Sequence, residues 1–291
     1  MELNATYSNG VESPRIQLGT YKIKKADEVT ISVSSALAAG YRAIDTAEVY
    51  RNHCKIASAL GEVLPSLVLT REDIFITSKL APKDHGDDKC QDAIDKVLKD
   101  LETEYLDLFL LHWPGVQKLD VKDPLNRELR AESWKVLERN YKNNKFRSIG
   151  VSNYTLEHMK EMLEHSEVVP HVLQIELHPH YQQRELVSFC VAQGIHVQAY
   201  SSLGQEGSKS PLFSSEVVLE VCKSLGRSPA QVLLRWGLQK GFTVMPKSVH
   251  PDRIRENIDL DFTIPPESME MLDNLEEHVI EKYTWDPSTV L

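Results

Sequence analysis

Apolar runs of strand length recur along this sequence, and stretches of helical periodicity separate them. The runs are Ile74-Phe75-Ile76, Leu108-Phe109-Leu110-Leu111, Ile149-Gly150-Val151, Val172-Leu173-Gln174-Ile175, Ile195-His196-Val197 and Phe242-Thr243-Val244-Met245. Between two of them, Ile94, Val97, Leu98 and Leu101 recur at i, i+3, i+4 and i+7 among Asp and Lys residues, the stripe of an amphipathic helix. Val29, Val33, Ala36 and Leu37 repeat the pattern, as do Leu156, Met159 and Leu163. Strands this apolar have no face suited to water, so the alternation calls for a parallel sheet covered by helices. Weaker segments at Leu18-Gly19-Thr20 and Arg42-Ala43-Ile44 bring the expected strands to eight. That is the number of an α/β (β/α)₈ TIM barrel, which typically needs about 250 residues. The 291 residues contain no linker or low-complexity tract, so one barrel domain over 1–291 is predicted. A Ser8-Asn9-Gly10 turn between Leu3–Tyr7 and Ser13–Ile16 predicts an N-terminal β-hairpin capping the barrel floor, and Lys282-Tyr283-Thr284-Trp285-Asp286-Pro287 predicts a short C-terminal tail. An open doubly wound sheet would need an early Gly-x-Gly-x-x-Gly turn, and Gly204 and Gly207 come no nearer than late in the chain without a third glycine.

Net charge is −10, so the surface repels nucleic-acid phosphates and anionic lipid, and neither is expected as a partner. No stretch approaches the roughly 18 uninterrupted apolar residues of a membrane helix. The start Met1-Glu2-Leu3-Asn4-Ala5-Thr6 lacks the features of a signal peptide, so a cytoplasmic protein is expected, and the Asn4 and Asn153 sequons read as chance. Cys54, Cys90, Cys190 and Cys222 are too widely spaced for a zinc ribbon or redox dithiol and are read as reduced packing residues.

In such a barrel the active site lies at the carboxyl ends of the strands, and those ends are polar. Asp45 ends the second strand, Lys79 the third and His112 the fourth; Ser152-Asn153 follow the fifth, Gln174 and Glu176 end the sixth, Tyr200-Ser201 the seventh and Lys247-Ser248 the eighth. Tyr50 stands five residues beyond Asp45. A tyrosine is a weak acid with a pKa of about 10, and a neighbouring cation lowers it. Lys79 is therefore expected to bring Tyr50 toward the operating range, with Asp45 holding the lysine charged, while His112 orients a carbonyl oxygen. Any one such residue is ordinarily a surface ion pair or a packed histidine. Four at successive strand ends point to proton-transfer chemistry.

Gly40-Tyr41-Arg42-Ala43-Ile44-Asp45-Thr46-Ala47 leading to Tyr50, Ile76-Thr77-Ser78-Lys79-Leu80, Leu110-Leu111-His112-Trp113-Pro114, Ile149-Gly150-Val151-Ser152-Asn153-Tyr154 and Pro246-Lys247-Ser248 together resemble the successive signatures of the aldo-keto reductase superfamily. The resemblance runs essentially end to end. It implies reduction of aldehydes or ketones to alcohols, with hydride from a nicotinamide, a catalytic set of Asp45, Tyr50, Lys79 and His112, and a monomer. It also assigns Ser152, Asn153 and Gln174 to the carboxamide, Tyr200 to stacking on the nicotinamide ring, and the Ser201–Ser208 loop, with Ser201 and Leu203, to the pyrophosphate.

Lys247, Ser248, Arg253, Arg255 and Asn257 form a basic cluster in an otherwise acidic chain. A guanidinium suits bidentate phosphate binding, so an extra 2′-phosphate is favoured and NADPH/NADP+ is expected over NADH. By resemblance Val249 belongs to this segment, and Glu256 and Asn257 contact adenine. The resemblance also implies that Tyr21, Tyr50, His112 and Trp113 line the substrate pocket for a small-molecule carbonyl. Lys79-Leu80 is followed by Ala81 where many relatives carry a tryptophan, so one aromatic wall is expected to be missing and the short tail to cover the mouth loosely. That predicts broad activity on small reactive carbonyls. A metal enzyme built on His171, Glu176, His178 and His180 lacks a fitting ligand set, with Pro179 intervening, and no metal is expected. An NADPH-binding sensor or structural barrel without turnover is the alternative.

Overall fold

The computed structural model describes residues 4–204 and 210–291. The expected hairpin residue Leu3 and loop residues Gln205, Glu206, Gly207 and Ser208 lie outside the described residues. An antiparallel hairpin opens the fold, β1 (Asn4–Thr6) pairing with β2 (Glu12–Pro14). Gly10, at φ +83°, makes the turn, where a side chain would be strained. Eight parallel strands follow: β3 (Leu18–Gly19), β4 (Ala43–Asp45), β5 (Phe75–Leu80), β6 (Leu106–Leu111), β7 (Phe146–Ser152), β8 (Val172–Glu176), β9 (His196–Tyr200) and β10 (Thr243–Val244), neighbours in space as in sequence. The helices are α1 (Ala26–Ala38), α2 (His53–Ser66), α3 (Asp87–Asp100), α4 (Leu125–Lys142), α5 (Leu156–His165), α6 (Arg184–Ala192), α7 (Pro211–Ser214), α8 (Glu216–Leu225), α9 (Pro229–Gln239), α10 (Pro251–Ile258), α11 (Pro266–Asp273) and α12 (Leu275–His278). Among the described residues no helix is long and apolar enough to cross a membrane.

The sheet closes on itself beside its first and last strands. Gln17 N donates to Val244 O (2.9 Å), Gly19 N to Pro246 O (3.1 Å) and Val244 N to Arg15 O (2.9 Å). Closure leaves no unpaired edge and makes this the (β/α)₈ barrel that the alternation requires. At the seam, a Cβ on Gly19 would come within 2.6 Å of Met245 O, so only glycine allows so close an approach.

Two apolar layers result. Outward-facing strand residues such as Ile44, Ile76, Phe109 and Leu173 pack with the helices in one large core. Ala43, Phe75, Leu108, Leu110 and Val172 form a separate core with Tyr7, and Ala5 and Val11 of the hairpin pack beneath it, plugging the floor. Helix α3 follows the expected stripe: it buries Cys90, Ala93, Ile94, Val97 and Leu98, and Asp87 and Asp88 sit in its first turn, where the helix dipole favours acids. Helix α9 begins on a Ser228/Gln231 capping box followed by Pro229. Cys90, Cys190 and Cys222 are buried packing residues, whereas Cys54 is exposed, on the outer face of α2.

Candidate active site

Side chains alternate across a strand, so one parity on each strand faces the barrel interior. Along the inward parity, apolar residues low in the barrel give way to polar ones at the top. Ala43 precedes Asp45; Phe75 precedes Thr77 and Lys79; Leu108 and Leu110 precede His112; Val172 precedes Gln174 and Glu176. The polar set thus gathers at the carboxyl end, with the plugged core beneath it.

Lys79 and Asp45 form its base. The ammonium of Lys79, 0% exposed, donates to Asp45 Oδ1 (2.7 Å), Asp45 Oδ2 (2.8 Å) and Thr46 O (2.9 Å), which uses all three of its hydrogens. Burial lowers the lysine pKa while Asp45 opposes that effect. Tyr50 lies above, on a short 3₁₀ turn at Glu48–Tyr50, with its ring centroid 5.3 Å from Lys79 Nζ and 5.8 Å from the His112 ring. The expectation that Lys79 lowers the Tyr50 pKa is overturned. Burial, with Asp45, Tyr200 and Tyr21 adding to it, pushes the phenol well above its ordinary value. The physical reason is that Asp45 balances the lysine charge and Tyr50 has left water, so desolvation of the phenolate dominates. His112 is buried too, and burial together with Lys79 holds its pKa well below the ordinary value, leaving a neutral imidazole. Its Nδ1 has no hydrogen-bond partner among the described residues.

Two supports, Asn52 and Gln198, escaped the sequence reading. Asn52 accepts from Thr46 Oγ1 (2.7 Å) and donates to Thr20 O and Ile23 O (3.2 and 3.1 Å), tying the Tyr50 turn to the loop after β3. Gln174 Nε2 donates to Asp45 Oδ2 and to Gln198 Oε1, both at 2.9 Å, and Gln198 Nε2 donates to Tyr7 Oη at 3.0 Å. Because a carboxylate only accepts, Asp45 dictates which end of the Gln174 amide faces it. Gln174 Oε1 is thereby left as an acceptor. The inward parity of Gln198 was a usable signal; the role of Asn52 was not legible, because it depends on two loops meeting.

Asn153 Nδ2 donates to Ser152 Oγ (3.1 Å) and His112 O (2.8 Å), and its Oδ1 accepts from Tyr200 Oη at 2.5 Å. Asn153 (φ +64°) and Ser201 (φ +52°) are both left-handed, at the points where the chain turns out of β7 and β9. Asp45, Tyr50, Lys79, His112, Ser152, Asn153, Gln174 and Tyr200 therefore meet in one connected site.

The model of the aldo/keto reductase family matches residues 15–277. The chain belongs to the aldo/keto reductase family. A glyoxal reductase of Bacillus subtilis is 40% identical over 268 residues, covering 92% of this chain and 90% of that protein. Aldo-keto reductase family 1 member A1 of Cricetulus griseus is 40% identical over 286 residues, covering 92% and 88%. Among solved structures, the aldose reductase of Schistosoma japonicum superposes with a TM-score of 0.87 at 36% identity, covering 100% of this chain and 96% of that one. An aldo-keto reductase from a deep-sea metagenome gives 0.88 at 30% identity, covering 99% of each chain.

The remaining expected site residues of this oxidoreductase follow β9 and β10. Leu203 and Val249 are half-buried and pack against the main core. Ser248 is buried and its hydroxyl accepts from His250 N (3.1 Å). Arg253 is exposed, Glu256 half-buried and Asn257 buried on α10. Arg255 differs from the expected basic cluster: its guanidinium is paired with Asp252 one turn earlier.

Around the mouth, Tyr21 is 57% exposed with its ring 5.1 Å from that of Tyr50. Trp113 lies 6.3 Å from the His112 ring, and Trp285 meets it edge-to-face at 4.8 Å. The expected loose tail is corrected: Lys282, Tyr283 and Thr284 are hydrogen-bonded to Glu176. Ala81 is fully buried, and the tail brings its own indole to Trp113.

Proposed function

We propose that the protein is an NADPH-dependent carbonyl reductase in which Tyr50 gives the proton. The observation that carries this reading is a buried phenol held protonated beside a neutral histidine and above a saturated Lys79–Asp45 pair. His112 donates a hydrogen bond to the carbonyl oxygen and fixes it within reach of Tyr50. Tyr50 Oη transfers its proton to that oxygen as negative charge develops there. The phenolate left behind faces the Lys79 ammonium, and Asp45 keeps that ammonium charged and in place. When bound, reduced nicotinamide supplies the hydride. Its carboxamide fits Gln174 Oε1, the acceptor that Asp45 leaves available, together with Ser152 and Asn153, while Tyr200 offers its ring for stacking. Ser201, Leu203, Lys247, Ser248, Val249, Arg253, Glu256 and Asn257 hold the pyrophosphate, the 2′-phosphate and adenine.

Tyr21, Trp113 and Trp285 give the mouth an aromatic lining, which suits small aldehydes, dicarbonyls and aromatic aldehydes. The similarity to a glyoxal reductase supports the same substrate class. We read the chain as one barrel domain acting as a cytoplasmic monomer. The test is NADPH consumption over a panel of aldehydes, dicarbonyls and ketosteroids with wild type and Tyr50→Phe. The variant keeps the ring and removes the donor, so turnover is expected to fall at least about 100-fold with NADPH affinity kept. Near-normal turnover in Tyr50→Phe would remove Tyr50 from the mechanism, and NADPH binding without turnover of any carbonyl would favour a sensor.

A further inference from the structure

Glu176, at the top of β8, has no role in the reduction just described, yet its side chain is completely buried. An isolated carboxylate there would be strongly disfavoured. Five donors converge on it instead: Tyr283 N (2.6 Å) and His178 Nε2 (3.1 Å) on Oε1, and Thr284 N (3.0 Å), Lys282 Nζ (3.0 Å) and the Thr284 hydroxyl on Oε2. Burial by itself would raise the Glu176 pKa; the hydrogen bonds from His178, Thr284 and Tyr283, with the Lys282 charge, outweigh it and hold the group at about 2.

Four of those donors belong to three consecutive residues of the C-terminal tail. Next to them Glu281 N donates to His180 O (3.1 Å), and the Lys282 ammonium lies 4.9 Å from the centre of the Tyr181 ring. The Glu-Leu-His-Pro-His-Tyr segment weighed above as a metal site is thus the dock for the tail. Beyond Trp285 the chain is tied again, Val290 O accepting from His158 Nε2 (3.0 Å) and Leu291 N donating to Val121 O (2.8 Å). The tail is a strap fastened on both sides of the mouth, with Trp285 between the fastenings.

A proton count links the strap to the site. The Thr284 hydroxyl has one hydrogen, and Glu176, which only accepts, takes it. Tyr200 Oη lies 3.0 Å from Thr284 Oγ1 and 2.5 Å from Asn153 Oδ1, so its single hydrogen has two competing acceptors. We propose that Glu176 is a positioning residue that locks the C-terminal strap over the substrate mouth, and that the Tyr200 hydroxyl couples this lock to the nicotinamide site. The coupling half rests on the cofactor reading above. When a carboxamide N–H occupies Asn153 Oδ1, the Tyr200 hydrogen turns to Thr284 and tightens the strap; with Asn153 unoccupied, Asn153 takes it.

Hydrogen exchange at residues 281–287, with and without saturating NADPH, tests both halves in wild type, Glu176→Gln, Thr284→Val and Thr284→Ser. In Glu176→Gln one acceptor oxygen becomes an NH₂ facing donors. Strap exchange should then accelerate without cofactor, the exciton-coupled circular dichroism of Trp113 with Trp285 should fall, and KM for an aromatic aldehyde should rise more than kcat changes. In wild type NADPH should slow strap exchange about tenfold, the effect of one hydrogen bond. Thr284→Val should abolish that slowing, and Thr284→Ser, which keeps the hydroxyl, should retain it. Unchanged exchange in Glu176→Gln overturns the lock, and equal NADPH-induced slowing in Thr284→Val and wild type overturns the coupling. If NADPH does not bind wild type at all, the cofactor reading falls and the coupling with it, while exchange in cofactor-free Glu176→Gln still decides the lock. Should Glu176→Gln not fold, cofactor-free exchange in Thr284→Val against Thr284→Ser decides the lock in its place, equal rates overturning it.

Discussion

As the proposed proton donor, Tyr50 would stay loaded over a wide pH range, because every large influence on it keeps its proton in place. Burial, Asp45, Tyr200 and Tyr21 all raise its pKa, and Lys79 has no hydrogen left to donate to it. Raising the pKa of a proton donor keeps it loaded as pH rises, whereas lowering it would unload the donor near neutrality. His112, depressed by burial and by Lys79, is already neutral at pH 7 and does not titrate above it. The rate of carbonyl reduction is therefore expected to be level from about pH 7 to about pH 9 and to fall only at higher pH. A profile of kcat/KM against pH checks this; a decline centred near pH 7.5 would mean that the donor pKa is depressed.

At the scale of the element, α10 shows how helical spacing sorts a basic cluster. Arg253 and Asn257 are four residues apart and share a face, while Arg255 projects elsewhere and is paired with Asp252. Composition counts the two arginines alike, but their surroundings make them unequal. A charge-assisted hydrogen bond contributes about 1.5–3 kcal/mol, so Arg253→Ala should weaken NADPH about 10- to 100-fold and NADH much less. Arg255→Ala should change the affinity for either less than threefold, a bound of about 0.6 kcal/mol. Titration of both cofactors by fluorescence separates the two. Equal losses for NADPH and NADH in Arg253→Ala would remove the residue from the 2′-phosphate.

The whole molecule depends on closing eight short strands around a filled interior, and glycines mark where that is tight. A Cβ at Gly19 would meet Met245 O at 2.6 Å across the closing seam, and one at Gly150 would meet Val172 O at 2.3 Å inside the barrel. Gly61, on the exposed side of α2, has nothing within 4 Å of the same atom. Urea unfolding should therefore show opposite signs. Gly19→Ala should lose about 1–3 kcal/mol by overpacking, whereas Gly61→Ala should gain about 1 kcal/mol of helix propensity. A neutral Gly19→Ala would mean that the seam opens easily.

The same scale separates what the sequence determined from what folding decided. Period and parity are properties of the chain alone, because side chains alternate on strands and recur every 3.6 residues on helices. The eight strands, the helical stripes and the polar strand ends at Asp45, Lys79, His112 and Gln174 were legible for that reason. The protonation of Tyr50, the pairing of Arg255, the docking of Lys282–Thr284 on Glu176 and the meeting of Trp113 with Trp285 were not. Each depends on distance between residues remote in sequence and on how much water folding removes around them. A pKa follows desolvation and neighbours, and a tail is loose or locked according to what it reaches; a one-dimensional pattern contains neither, so the closed barrel had to decide them.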